Sequence, residues 1–131
     1  PSQNPPSSKT AHRLVLFVCD KPAAFWQMGL AFVSAGYTWI PVSSAKEALE
    51  AVAATRFDVA LVYAGSRDPF SGRDLAIKLR KLIPHPKVIL LVDDVNIAEK
   101  NSRIGTLRLM HMPNSIAGIR RLLRRMHRVG T

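Results

Sequence analysis

The chain has 131 residues and a single cysteine, Cys19, so one domain is expected and an intrachain disulfide is excluded. At 47% hydrophobic it holds enough apolar material for one core, yet no apolar run reaches the ~18 residues of a membrane span and none of it reads as a secretory leader, so a cytoplasmic, reducing setting is expected. Nineteen Lys and Arg against nine Asp and Glu leave a formal charge of +10, which suits an anionic partner or a basic surface with no dedicated one.

Residues 1–10, PSQNPPSSKT, carry almost nothing apolar and are expected to form a disordered arm or linker before a domain over 11–131. LVLFVC (14–19) is a continuous apolar run, as a strand buried on both faces would be. Lys21-Pro22 then opens a helix over 23–36, with apolar residues at 25, 28, 32 and 33 and Gly36 at its end. YTWIPV (37–42) is a strand, and Pro41 within it argues for a sheet edge. Ser43 or Ser44 caps the next helix, with Glu47 in a capping-box position and Ala48, Leu49 and Val52 on the packed face. VALVYA (59–64) is a third strand, and GSRDPFSG (65–72) is rich in turn residues. RDLAIKLRKLI (73–83) is a helix that packs through Leu75, Leu79 and Leu82, and KVILLV (87–92) is a fourth buried strand. Residues 93–105 read as a loop and a weak helix, 106–112 as a fifth strand stopped by Pro113, and 114–130 as the last helix.

Five strand–helix units in strict alternation imply parallel pairing through right-handed crossovers, hence an α/β doubly wound sheet. Functional sites in such sheets lie beyond the C-terminal strand ends, which places Asp20, Tyr63, Val92-Asp93 and Met112-Pro113 on one rim.

The chain resembles a CheY-like response-regulator receiver domain over about residues 12–128. The landmarks are VCDKP (18–22), FDVALVY (57–63), KVILLVD (87–93) and GTLRLMHMP (105–113), where Pro falls eight residues after Gly. The resemblance implies a five-stranded flavodoxin-like sheet and a role in two-component signal transduction. It also implies a magnesium- and phosphoryl-binding rim built from a pair of acids, an acceptor Asp, a hydroxyl residue and a Lys, because the transferred phosphoryl group carries charge that a metal and a cation must stabilise.

The sequence departs from that pattern at nearly every position. Cys19 stands at the first acidic position and only Asp20 remains. Tyr63 falls at the acceptor position, or Ala64 if the loop is aligned from Gly72. Val92 replaces the hydroxyl residue, Met112 the Lys, and Leu109 the aromatic switch residue. Asp68 is the one other acid near the acceptor position. A degenerate, phosphorylation-independent pseudo-receiver is therefore expected: no enzyme, no stable magnesium binding and no cofactor.

The last helix carries Arg120, Arg121, Arg124, Arg125 and Arg128 with His127 and no acid. Ile116, Ile119, Leu123 and Met126, with Leu122 beside them, form its expected packed face. Arg120, Arg124 and Arg128 recur at i, i+4, i+8, a spacing at which like charges cost a few tenths of a kcal/mol per pair. The stripe is either a solvated basic face or an anion site, and guanidinium forks suit carboxylate and phosphate alike. The partners weighed are another signalling protein or a second copy, through the last helix and fifth strand, and a cyclic dinucleotide such as cyclic-di-GMP or nucleic acid; no membrane is expected. Trp26 and Trp39 are expected to serve core or edge packing, and His12, His85, His111 and His127 have no metal-ligand spacing.

Overall fold

The computed structural model describes residues 13–64, 69–82, 86–93, 103–104, 107–113 and 115–130. The arm at 1–10, Asp68, His12, His85 and the weak helix expected within 93–105 fall outside the described residues, apart from Asp93 and Arg103–Ile104. Strands β1 (Arg13–Val18), β2 (Tyr37–Val42), β3 (Val59–Ala64), β4 (Lys87–Val92), β5 (Arg103–Ile104) and β6 (Leu107–His111) form one sheet. Its order is β2-β1-β3-β4-β6-β5. Helices α1 (Trp26–Ser34), α2 (Ala45–Ala54), α3 (Pro69–Arg80) and α4 (Ile116–Gly130) connect or follow them, and a 3-10 turn at Pro22–Phe25 leads into α1. Five strands are parallel, in the doubly wound order expected; β5 adds a two-residue antiparallel edge on β6.

Alternation along the buried strands divides the core into two layers. Val15, Phe17 and Cys19 of the first strand run, Leu61 of β3, Leu91 of β4 and Met110 of β6 face α1 and α4, where Phe32, Ile119, Leu122 and Met126 cover them. Leu16, Val18, Val62, Leu90 and Leu109 face α2 and α3, where Ala48, Leu75 and Leu79 close the layer. At the N-terminal strand ends Asp58 joins three strands: its Oδ2 accepts from the Leu14 N–H at 2.7 Å and its carbonyl from the Lys87 N–H at 3.0 Å. This gives the Asp before β3 a structural task at the end of the sheet opposite the rim.

The local punctuation follows its residue types. Gly36 takes φ +96° just past the C-cap of α1, a conformation that favours glycine. Ser44 caps α2 by accepting the Glu47 N–H at 3.1 Å, and Glu47 reaches back to the Ser43 N–H at 3.0 Å, one residue earlier than a standard capping box. β2, with Pro41, lies at the sheet edge as expected.

Several expectations need correction. α3 begins at Pro69, four residues early, because a proline that reads as a turn signal also suits a helix's first position. Segment 93–105 contains an edge strand at Arg103–Ile104, too short to leave any periodicity. Val33 and Ile116 are exposed where they were expected in packed stripes, and Leu82 lies past the end of α3. Trp26 is 60% exposed and does not serve the core. Trp39 does: it stacks on Phe17 at 4.9 Å and tilts against Phe32 at 4.9 Å.

Candidate functional site at the strand C-termini

The rim assembles from four strand ends, each pinned by backbone. The Cys19 N–H donates to the Val42 carbonyl at 3.1 Å, and the Met112 N–H to the Val92 carbonyl at 2.7 Å, so both ladders run one residue beyond their strands. Side-chain direction then decides who faces what. Met112 turns into the layer beneath α4 and Val92 into the layer beneath α3, and both are buried. Neither offers a donor or a charge to the rim.

Tyr63, on the central strand β3, stands on the rim instead. Its ring packs edge-on against Phe25 at 5.3 Å, and its hydroxyl donates to the Asp93 carboxylate, with Oδ1 at 2.6 Å and Oδ2 at 2.8 Å. Across the same rim the His111 ring lies 2.9 Å from the Asp93 carbonyl, a geometry in which Nε2–H must be the donor. Asp93 thus takes bonds from two neighbouring strands.

The electrostatics keep the phenol and the thiol of the rim protonated. Burial raises the Tyr63 phenol well above its usual range, and the bond to Asp93 and the charges of Asp93, Cys19 and Asp20 raise it further. Burial likewise raises the Cys19 thiol; a backbone bond at Lys21 opposes this, and the neighbouring Asp20 carboxylate adds to the rise through its charge and a 3.8 Å contact from the sulfur. The thiol therefore stays protonated at neutral pH, which makes it a poor nucleophile and a poor metal ligand.

Magnesium does not fit this set. It demands hard oxygen ligands in near-ideal octahedral geometry, with one or two carboxylates at its core. Here a protonated thiol stands beside Asp20, a protonated phenol fills the centre, and the second carboxylate is engaged by that phenol. Among the described residues no three of His, Cys, Asp and Glu gather as a metal cluster.

On α4, Arg120, Arg121, Arg124 and Arg125 are exposed, whereas Ile119, Leu122 and Met126 are buried and Leu123 is half-buried. The side chain of Arg128 lies outside the described residues. The rim and the basic helix are separate features.

Sequence reasoning placed Asp20, Tyr63, Val92 and Met112 on one rim and the structure brings them there. It missed the Tyr63–Asp93 bond, which joins residues thirty positions apart on neighbouring strands. It also missed Phe25 and His111 as its supports.

The fold and the rim's placement define the class: a doubly wound sheet of the CheY-like receiver type, as the sequence motifs implied. Solved structures with this fold include a response regulator from Thermotoga maritima, with TM-score 0.71 and 19% identity over 90% of this chain and 97% of that one. The receiver domain of Francisella response regulator 1452 gives TM-score 0.69 and 22% identity over 90% and 96%. Response regulator TrrA from Thermotoga maritima, solved in complex with magnesium and BeF, gives 0.68 and 18% over 87% and 98%. No protein-family model and no curated protein matches the chain in sequence. The likeness is one of fold. No helix among the described residues is long and apolar enough to cross a membrane.

Proposed function

We propose that this chain is a phosphorylation-independent pseudo-receiver, a cytoplasmic signal-transduction domain that works as a protein-interaction or dimerisation module and not as an enzyme. The observation that carries the reading is Tyr63. By the FDVALVY landmark it falls at the position where a receiver presents its acceptor carboxylate, and its hydroxyl donates to Asp93. A phenol has no carboxylate from which to form the acyl phosphate on which the receiver switch depends, and the buried Met112 and Val92 supply neither the cation nor the hydroxyl that would sense it. The scaffold is retained, and scaffold surfaces bind partners whether or not a switch is present.

Incubation with acetyl phosphate and magnesium, followed by intact mass measurement, tests this reading. The unmodified mass is expected; a stoichiometric phosphoryl adduct that hydroxylamine removes would overturn it. A second reading rests on the exposed arginines of α4: an effector that takes a cyclic dinucleotide or nucleic acid. Saturable binding of cyclic-di-GMP, lost when Arg120 and Arg124 become Ala, would favour it.

A further inference from the structure

α1 buries one side and leaves an apolar row on another. Met28 and Phe32 pack into the core, while Trp26, Leu30 and Val33 are 60%, 56% and 55% exposed. Exposed apolar residues scattered singly need no explanation, but these three recur at i, i+4 and i+7 and form one continuous row on the helix. Gly29 locates that row in the fold. A Cβ there would lie 2.7 Å from the Trp39 Nε1, so the Gly29 flank of α1 faces the edge strand β2. Trp26 and Val33 stand at i−3 and i+4 from Gly29, with Leu30 beside it, so the row runs along the sheet-edge flank of α1.

Charge sets this surface apart. The chain carries +10, yet no residue from Pro22 to Ala45 is charged, and that run contains all of α1 and β2. The three exposed side chains present roughly 350 Å² of apolar surface, a size at which a patch on a monomer is often functional. An acidic partner has nothing to pair with here; its place is among the cations of other elements. A second copy of the chain is in the opposite position. Two +10 molecules repel over most of their surfaces and meet without juxtaposed cations only at a charge-free face. The row is also complementary to itself. Leu30 lies near its middle, with the large Trp26 at one end and the smaller Val33 at the other. In an antiparallel helix pair about a two-fold axis the two Leu30 side chains meet, and each Trp26 lies opposite a Val33.

We infer that this flank of α1 is a self-association face, through which two copies of the chain pair α1 to α1 about a two-fold axis. This rests on the dimerisation half of the interaction-module reading and assigns the contact to α1 in place of the last helix and fifth strand. The row supplies about half of the ~800 Å² that each partner contributes to a standard interface, so the dimer is weak, with a dissociation constant on the order of 100 µM. At low concentration the chain is a monomer and Trp26 is open to water.

The test is sedimentation equilibrium of the full chain, at low and at high salt, over concentrations that extend past that constant. The variant is Leu30→Glu, and the control is Ile116→Glu, which makes the same change in charge at an exposed apolar position of α4. The parent is expected to dimerise as concentration rises, and more strongly at high salt, because screening weakens the repulsion between two basic copies. Leu30→Glu should weaken association at least about tenfold although it lowers the net charge, and Ile116→Glu should leave it unchanged. Trp26 emission in the parent should move to shorter wavelength over the same concentration range, a shift that Trp26→Phe abolishes. A monomer throughout, association that salt weakens, equal weakening in both variants, or a dimer with unchanged Trp26 emission would each overturn the assignment. So would a chain that stays monomeric and co-sediments with phosphatidylcholine vesicles, which would give the row to a lipid surface. Circular dichroism confirms that the variants fold. The phosphoryl-adduct measurement stands apart from these outcomes, so the pseudo-receiver reading can survive the loss of this face or fall without it.

Discussion

Replacing Tyr63 with Phe removes one oxygen and leaves the ring on Phe25, so the change isolates the bond to Asp93. A hydrogen bond to a charged acceptor contributes ~1.5–3 kcal/mol where water is excluded. Here the ring is half-buried but Asp93 is exposed, so its carboxylate regains water when the phenol is lost. The expected cost is therefore nearer ~1 kcal/mol, or about 4 °C in melting temperature for a domain of this size. Denaturant unfolding of the parent, Tyr63→Phe, Asp93→Asn and the double variant gives the coupling between the two groups. Ultraviolet titration of the phenols gives a second readout: a high-pH ionisation present in the parent should vanish in Tyr63→Phe. The sign follows from the raised phenol. Protonated Tyr63 stabilises the fold in full below the unfolded phenol's value near 10, and that contribution fades as pH rises through the folded value. Zero coupling, together with an unchanged alkaline titration, would refute the claim that this bond organises the rim.

Met112→Lys should restore the receiver's residue type yet destabilise the fold by roughly 3 kcal/mol in urea unfolding, because the side chain points into the layer under α4 and not at the rim. Gly29→Ala should lower the melting temperature despite alanine's better helix propensity. The new Cβ would lie 2.7 Å from the Trp39 Nε1, and that ring is held between Phe17 and Phe32. Ser44→Ala should cost ~1 kcal/mol by denaturant melt. The companion Glu47 carboxyl is held low chiefly by the Ser43 hydroxyl, so its contribution is present above the ordinary Glu value and is lost as pH falls through the depressed one. Acrylamide quenching should separate an accessible Trp26 from a shielded Trp39, and a Trp26→Phe variant should lose the accessible component.

Much of this architecture was legible because parallel strands buried on both faces are written as unbroken apolar runs. LVLFVC and KVILLV admit little else, and Pro41 marks its own edge. Facing was harder to read. Val33 and Ile116 satisfy a helical stripe as well as their buried neighbours do, and only the packed sheet decides which side is covered. The two residues of β5 have no period to detect, and Pro69 signals a turn and a helix start with the same chemistry. At the rim, the residue types at Cys19, Val92 and Met112 can be read from the sequence alone. The Tyr63–Asp93 bond cannot, since the two residues meet only through the β3–β4 register.

The central claim is that the rim has exchanged its phosphoryl chemistry for a fixed phenol–carboxylate bond. The most direct measurement is a thermal-unfolding scan with magnesium alone and with magnesium plus beryllofluoride, the ligand pair found in the TrrA structure. A ligand that binds only the folded state raises the midpoint by mass action. The account predicts an unchanged midpoint at saturating concentrations of both. A concentration-dependent rise that requires magnesium and beryllofluoride together would contradict it, because a working phosphoryl site would then exist at the rim.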